Sequence, residues 1–305
     1  MNEAQVIAIF GPTGIGKTAV AIELAELLRA QGEDPIAISA DALQVYRGLE
    51  TLSGAATAEE QRRLEHRLLG IVPATDAFSV GEFMPLAHAE IDDALAEGRR
   101  PIVVGGTGLY LRAALTQLDL YPPPPASVRA RWTEEVERRG PEELYKELRE
   151  RAPWAVEGIE PTDRSRIIRT LELLEMGELE PREGESQLWT EHTRHPTLLA
   201  GLTMRREDLY SRIDQRVDAM VAAGAGREVE RVEQAGASRT ARKALGYEEL
   251  LAGDIDAMKR HTRQYAKRQH TWMRKLAGVH LIDVTGREPA DVAEEISRTA
   301  TSASR

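Results

Sequence analysis

The octapeptide Gly11-Pro12-Thr13-Gly14-Ile15-Gly16-Lys17-Thr18 carries the clearest chemistry in the sequence. It follows the apolar run Val6-Ile7-Ala8-Ile9-Phe10 and precedes the helical pattern Ala19-Val20-Ala21-Ile22-Glu23-Leu24-Ala25. A glycine-rich turn between a buried strand and a helix is the P-loop arrangement. Glycines let backbone N–H groups converge, the helix N-terminus adds partial positive charge, and Lys17 adds a full one. Together they favour a pyrophosphate or polyphosphate. Thr18 sets a hydroxyl where a phosphate-bound Mg²⁺ would sit.

Asp41 lies just past the end of the next apolar run, Asp34-Pro35-Ile36-Ala37-Ile38-Ser39-Ala40. Ligands collect beyond the carboxyl ends of strands in open α/β sheets. A carboxylate there serves as metal ligand, as binder of hydroxyl or amine groups, or as general base; a turn or helix cap is the plainer role. The segment Asp41-Ala42-Leu43-Gln44-Val45-Tyr46-Arg47-Gly48 adds an amide, a phenol and a guanidinium, a density that suits a substrate-facing loop. A third apolar strand, Pro101-Ile102-Val103-Val104, ends in Gly105-Gly106-Thr107-Gly108. The Thr107 hydroxyl can donate to a phosphate oxygen or orient a nucleophile, and a plain turn is the rival. P-loop ATPases usually carry an acidic residue for Mg²⁺ at this place, so its absence argues against nucleotide hydrolysis.

The window 258–276 has no acidic side chain but contains Lys259, Arg260, Arg263, Lys267, Arg268, Arg274 and Lys275. Arg260, Arg263, Lys267, His270 and Arg274 step by three and four, and so share one helix face. Met258, Thr262, Tyr265, Gln269, Trp272 and Leu276 fall on the opposite face. One side is expected to pack, and the other to present cations to a phosphate backbone or simply to solvent. Tyr247, after Gly246, could stack on a base.

These groups need elements to hold them. The first 115 residues alternate strand and helix patterns, with helical stretches expected at 57–69 and 80–96, which is βαβ patterning. Pro122-Pro123-Pro124-Pro125 interrupts it as a stiff linker. Residues from 127 to about 176 read as charged helix, and 180–186 as a loop. The expected organisation is an α/β, P-loop NTPase-like parallel sheet flanked by helices: 1–116 as core, 117–195 as a helical insertion, and 196–305 as a return to the core. The return begins with a strand near Thr197, continues through helices to about Leu276, and ends in a strand near Leu281 and a last helix.

With 305 residues, 42% of them hydrophobic and 30% charged, the chain can bury a substantial core. No cysteine is present, which excludes disulfides, thiolate metal sites and a thiol nucleophile. The seven histidines show no metal-ligand spacing. No basic-then-apolar leader and no membrane-length apolar run is seen, so a soluble cytoplasmic protein is expected. A net charge of −10 argues against nucleic acid until the local basic window is weighed against it.

Taken together, the motifs resemble those of the bacterial tRNA dimethylallyltransferases, also called tRNA isopentenyltransferases. The resemblance runs from the P-loop through 41–48, Val104-Gly105-Gly106-Thr107-Gly108-Leu109-Tyr110, 163–172, 209–220 and 244–249. It ends at Tyr265-Ala266-Lys267-Arg268-Gln269-His270-Thr271-Trp272-Met273-Arg274. It implies transfer of a dimethylallyl group from dimethylallyl pyrophosphate to an adenine amine beside the anticodon, in a monomer acting with Mg²⁺ on the tRNA anticodon stem-loop. By the same resemblance the P-loop grips pyrophosphate, Asp41 is the base, Thr107 touches the reacting centre, and Arg216 neutralises the leaving group with Lys17. Matching tRNA-contacting positions are Asp41, Ala42, Leu43, Gln44, Arg129, Ser165, Arg166, Ile167, Ile168, Arg169, Lys243, Gly246, Tyr247, Lys267, Arg268, Gln269, Trp272 and Arg274. The chain departs from the usual pattern at Ala42, where Ser is common, at Gly14-Ile15, where Ala-Ser is common, and at Phe78, where Tyr is commoner. An adenylate isopentenyltransferase, a small-molecule kinase and a non-enzymatic P-loop switch are the rivals.

Overall fold

Five consecutive apolar residues make Val6–Phe10 a strand buried along its whole length, as a strand covered on both faces must be. In the computed structural model, which describes residues 4–181 and 187–302, this strand lies at the centre of a sheet. The strands are β1 (Val6–Phe10), β2 (Pro35–Ser39), β3 (Tyr46–Arg47), β4 (His66–Arg67), β5 (Val72–Pro73), β6 (Arg100–Gly105), β7 (Thr197–Thr203) and β8 (Val279–Asp283). Six of them form one all-parallel sheet in the order β4-β2-β6-β1-β7-β8, and β3 pairs separately with β5.

Helices α1 (Lys17–Ala30), α2 (Glu50–Ser53), α3 (Ala58–Arg63), α4 (Val80–Ala96) and α5 (Gly108–Leu115) connect the first strands. Ser79 and Glu82 cap the start of α4 reciprocally, in agreement with the expected helix at 80–96. The expected helix over 57–69 stops at Arg63. Leu64 is extended and fully buried, and the chain turns into β4, where His66 pairs with Ala37. Burial of one leucine and an edge pairing override local helical propensity there.

The chain divides into two compact units, Met1–Leu118 with Gln187–Arg305, and Asp119–Ser186. The smaller holds α6 (Ala126–Arg139), α7 (Pro141–Arg151) and α8 (Arg164–Met176) around Trp132, Val136, Leu144, Leu148, Ile167 and Leu171. It closes at 186, where the sequence set 195. Residues 187–195 go with the sheet unit because buried Arg112 on α5 donates to Gln187 O at 3.0 Å and to His192 O at 3.1 Å. Arg194 adds a 2.7 Å pair with Asp92. Of the loop read at 180–186, residues 182–186 lie outside the described residues.

The sheet unit is completed by α9 (Arg206–Ala222), α10 (Ala225–Gln234), α11 (Tyr247–Ala252), α12 (Ile255–Met273) and α13 (Pro289–Ser302). Its core brings Ile7 and Ile9 of β1 together with Leu24, Leu28, Ile102, Leu202 and Ile296. Among the described residues no helix is long and apolar enough to cross a membrane.

Register decides where the chemistry sits. Phe10 is level with Gly105, and Ser39 with Val104, so β1, β2 and β6 finish side by side. The P-loop, Asp41 and Thr107 therefore emerge along one edge of the sheet, the edge on which parallel α/β folds bind ligands.

Candidate active site

The P-loop turns because Gly14 and Gly16 take φ values of +80° and +102°, which side chains resist. Lys17 then opens α1, whose first turn has no acidic residue to offset its dipole. The Lys17 Nζ donates to Gly11 O at 2.9 Å and Pro12 O at 3.2 Å. Burial pushes its pKa down to about 8, with the charge of Asp41 pulling it back up. Thr13, Gly14, Gly16, Lys17 and Thr18 line a cavity of about 690 Å³, a volume suited to a drug-sized or nucleotide-sized ligand. Gly11 and Pro12 are buried behind it, and Ile15 sits in the core.

Asp41 lines the same cavity. Its Oδ1 accepts from Leu43 N at 3.0 Å, which fixes the local turn, while Oδ2 accepts from Thr107 Oγ1 at 3.4 Å. Oδ1 thus serves the turn, one of the roles the sequence left open, and Oδ2 meets Thr107. Thr107 stands one bond behind the wall, and its Oγ1 also lies 3.3 Å from the phenol of Tyr265 on α12. Burial, with the Asp41 charge second, raises Tyr265 to about 12 and keeps it a hydroxyl donor at neutral pH.

Arg216 reaches the cavity from α9. Burial lowers its pKa against the pull of Asp41, and its Nε has no partner among the described residues. A buried guanidinium with an unmet donor calls for an anion. The cavity therefore gathers Lys17, Arg216 and the loop amides, with the Asp41 carboxylate near enough for its charge to act on both cations. Among the described residues no cluster of three or more His, Cys, Asp or Glu is arranged to hold a metal.

The remaining expected residues divide clearly. Gln44 is held at both ends, accepting from Ser39 Oγ at 2.8 Å and donating to Gly54 O at 3.2 Å. Ala42 and Leu43 are half-buried, and Leu43 lines the cavity. On α12 the packing face is as the sequence periodicity predicts, and Lys267, Arg268 and Arg274 are exposed. The ridge is shorter than the sequence suggested. Arg263 pairs with Asp214 at 2.9 Å and Lys259 with Asp218 at 2.6 Å, both acids coming from α9. Trp272 is half-buried and stacks obliquely on Trp189 with ring centroids 4.6 Å apart.

Gln269 and Tyr247 face inward. Gln269 is bonded to the P-loop, and Tyr247 is fully buried with its hydroxyl donating to Glu233 at 2.9 Å, so its ring offers no face for stacking. Gly246 caps α11 in a left-handed turn, and Lys243 is exposed. In the smaller unit Ser165 and Arg166 are exposed, whereas Ile167 and Ile168 belong to its core. Arg129 and Arg169 both pair with the fully buried Glu172. Sequence reasoning placed Tyr265 on the packing face and missed its phenol, which shares that stripe with two other polar side chains, Thr262 and Gln269.

The family model described as IPP transferase matches residues 44–276, and that described as Isopentenyl transferase matches residues 4–81. The chain is 37% identical to the tRNA dimethylallyltransferase of Kineococcus radiotolerans over 306 residues, 95% of either chain. It is 40% identical to that of Thermomicrobium roseum over 303 residues, covering 93% of this chain and 88% of the relative. Its fold is similar to the crystal structure of the full-length tRNA isopentenylpyrophosphate transferase from Bacillus halodurans, with a TM-score of 0.69, 32% identity, and coverage of 99% and 98%. A parallel sheet with a P-loop at its carboxyl edge, matched over most of its length by that model and by relatives of near-equal length, makes this chain a transferase and a member of the IPP transferase family.

Proposed function

We propose that the chain transfers the dimethylallyl group of dimethylallyl pyrophosphate to the N6 amine of the adenosine next to the anticodon on its 3′ side, releasing pyrophosphate. The observation that carries this reading is the pairing, in one cavity of about 690 Å³, of a cationic cradle with a carboxylate. Breaking an allylic carbon–oxygen bond gathers negative charge on the departing diphosphate. The P-loop amides, Lys17 and Arg216 are fixed donors aimed at that charge, and they need no reorganisation as it develops.

On the wall of the same cavity, Asp41 accepts a proton. An exocyclic adenine amine is a weak nucleophile because its lone pair is delocalised into the ring. A positioned carboxylate that takes the N6 proton as the new carbon–nitrogen bond forms lowers the barrier. Thr107 orients Asp41 through Oδ2 and, by the family resemblance, faces the reacting carbon. The adenine must leave its stack to reach the cavity, at a cost of about a few kcal/mol that is smaller in a loop than in a duplex.

The donor set suits Mg²⁺. The Thr18 hydroxyl on the cavity wall is the side chain that would hold it beside a bound diphosphate. When bound it supplies further neutralisation of the leaving group. The exposed Lys267, Arg268, Arg274 and Lys243, with Ser165 and Arg166 in the smaller unit, are the side chains we assign to RNA.

The test is incubation with labelled dimethylallyl pyrophosphate and, separately, tRNA, AMP and ATP. Label in the tRNA, released as one prenylated nucleoside on digestion, is the expected result. Label only in AMP would favour an adenylate isopentenyltransferase, and cleavage of the γ-phosphate of ATP without prenylation would favour a kinase or switch.

A further inference from the structure

The packing face of α12 does more than fill space. Gln269 is 5% exposed, and its amide is bonded at both ends. Oε1 accepts from Thr13 N–H at 2.9 Å, and Nε2 donates to Gly106 O at 2.7 Å. One side chain thus joins the loop after β1 to the loop after β6. Gly106 makes the junction possible: a Cβ there would stand 2.6 Å from Gln269 Nε2, 3.3 Å from Lys17 Nζ and 3.4 Å from Gly11 O.

We propose that Gln269 is a positioning residue for the diphosphate cradle. It acts through Thr13, pinning the start of the turn whose following N–H groups must converge on an anion. The carbonyls that hold Lys17 belong to Gly11 and Pro12, immediately before the pinned residue, so the same bond steadies the ammonium. Without Gln269 the Thr13 N–H and the Gly106 carbonyl lose their partner, and the turn rearranges to find others. Two of the amide's hydrogen-bonding directions are spent on the two loops, while Lys267 and Arg268, its neighbours in sequence, are exposed. The inference rests on the diphosphate reading of the cavity.

Two variants test it. Gln269→Met removes both hydrogen bonds at nearly constant volume, and Gly106→Ala displaces the same amide from the other side. Inorganic pyrophosphate with Mg²⁺ is titrated calorimetrically into wild type and both variants, and affinity for an anticodon stem-loop RNA is measured alongside. The expected result is a rise in the pyrophosphate Kd of about tenfold or more in both, as misplacement of a binding group produces. RNA affinity stays at the wild-type value, and KM rises for dimethylallyl pyrophosphate but not for RNA. Unchanged pyrophosphate binding in both variants overturns the proposal, as does a loss confined to RNA affinity. A wild type that neither binds pyrophosphate nor prenylates RNA overturns the reading of the site itself. If Gln269→Met does not fold, Gly106→Ala decides.

Discussion

The guanidinium of Arg216 lies against the bare Cα of Gly54, so closely that a methyl group on Gly54 would overlap Nη2 and Cζ. Gly54 also ends α2 in the left-handed region at φ +59°, where a side chain is strained. Gly54→Ala should therefore evict Arg216 from the cavity without replacing any charged residue. We expect kcat/KM for the prenyl donor to fall by about tenfold to a hundredfold, in step with Arg216→Ala. Parallel kinetics of the two single variants and the double variant check this, since displacement of one group predicts that the effects do not add.

Asp41 should separate chemistry from RNA binding. Asp41→Ala removes the proton acceptor, and loss of a general base typically costs about 10²- to 10⁴-fold in turnover. Affinity for the stem-loop should be largely kept. Single-turnover prenylation measured beside filter binding reads both quantities, and full turnover in the variant rules out Asp41 as base.

Lys17 ties the site to pH. Its folded value of about 8 lies below the ordinary 10.5, so between those pH values the unfolded chain binds the extra proton. Stability therefore rises with pH across that window, and below pH 8 the penalty for burying the charge is fully present. Lys17→Met should stabilise the protein at pH 7, by up to roughly 3 kcal/mol, while destroying diphosphate binding. Denaturant melts at pH 7 and pH 10 check the first half, because the gain should shrink as pH rises. Wild-type affinity for pyrophosphate should weaken above pH 8 as the ammonium is lost.

The two halves of the α12 ridge should behave differently. Lys267 and Arg274 are exposed and have no ion pair among the described residues, whereas Arg263 is neutralised by Asp214. Lys267→Ala with Arg274→Ala should weaken RNA binding and lower its log–log salt slope by about 0.7 to 0.9 for each lost phosphate contact. Arg263→Ala should leave the slope alone. Titrations at several salt concentrations distinguish these cases.

Glu172 is the keystone of the helical unit, fully buried with Arg129 and Arg169 on its two oxygens. Arg169 continues to Tyr121 O at 3.1 Å and Pro122 O at 2.6 Å, and so clamps the proline linker. Glu172→Ala leaves both guanidinium groups uncompensated. The loss should be about 2–3 kcal/mol, less than for a fully buried pair because each arginine is about a third exposed. Chemical denaturation followed by tryptophan fluorescence measures it.

Much of the site could be read from sequence because its signals are short-range. The P-loop glycines dictate their own turn. Uninterrupted apolar runs dictate buried parallel strands, and parallel strands put Asp41 and Thr107 on the edge where ligands bind. The alternation of faces along 258–276 follows from helical period alone. None of these requires knowing what lies opposite in space.

The tertiary structure decided everything that depends on a partner distant in the chain. It turned Gln269 onto Thr13, 256 positions away, and turned Tyr247 inward onto Glu233. Acids on α9 cancelled part of a ridge that looks uncompensated along its own helix. Arg216 was set against Gly54 and Thr107 between Asp41 and Tyr265. Local propensity and periodicity fix which face of an element points inward; only the packed fold fixes what that face meets, because hydrogen bonds and charge pairs are formed by distance in space and not by separation in sequence.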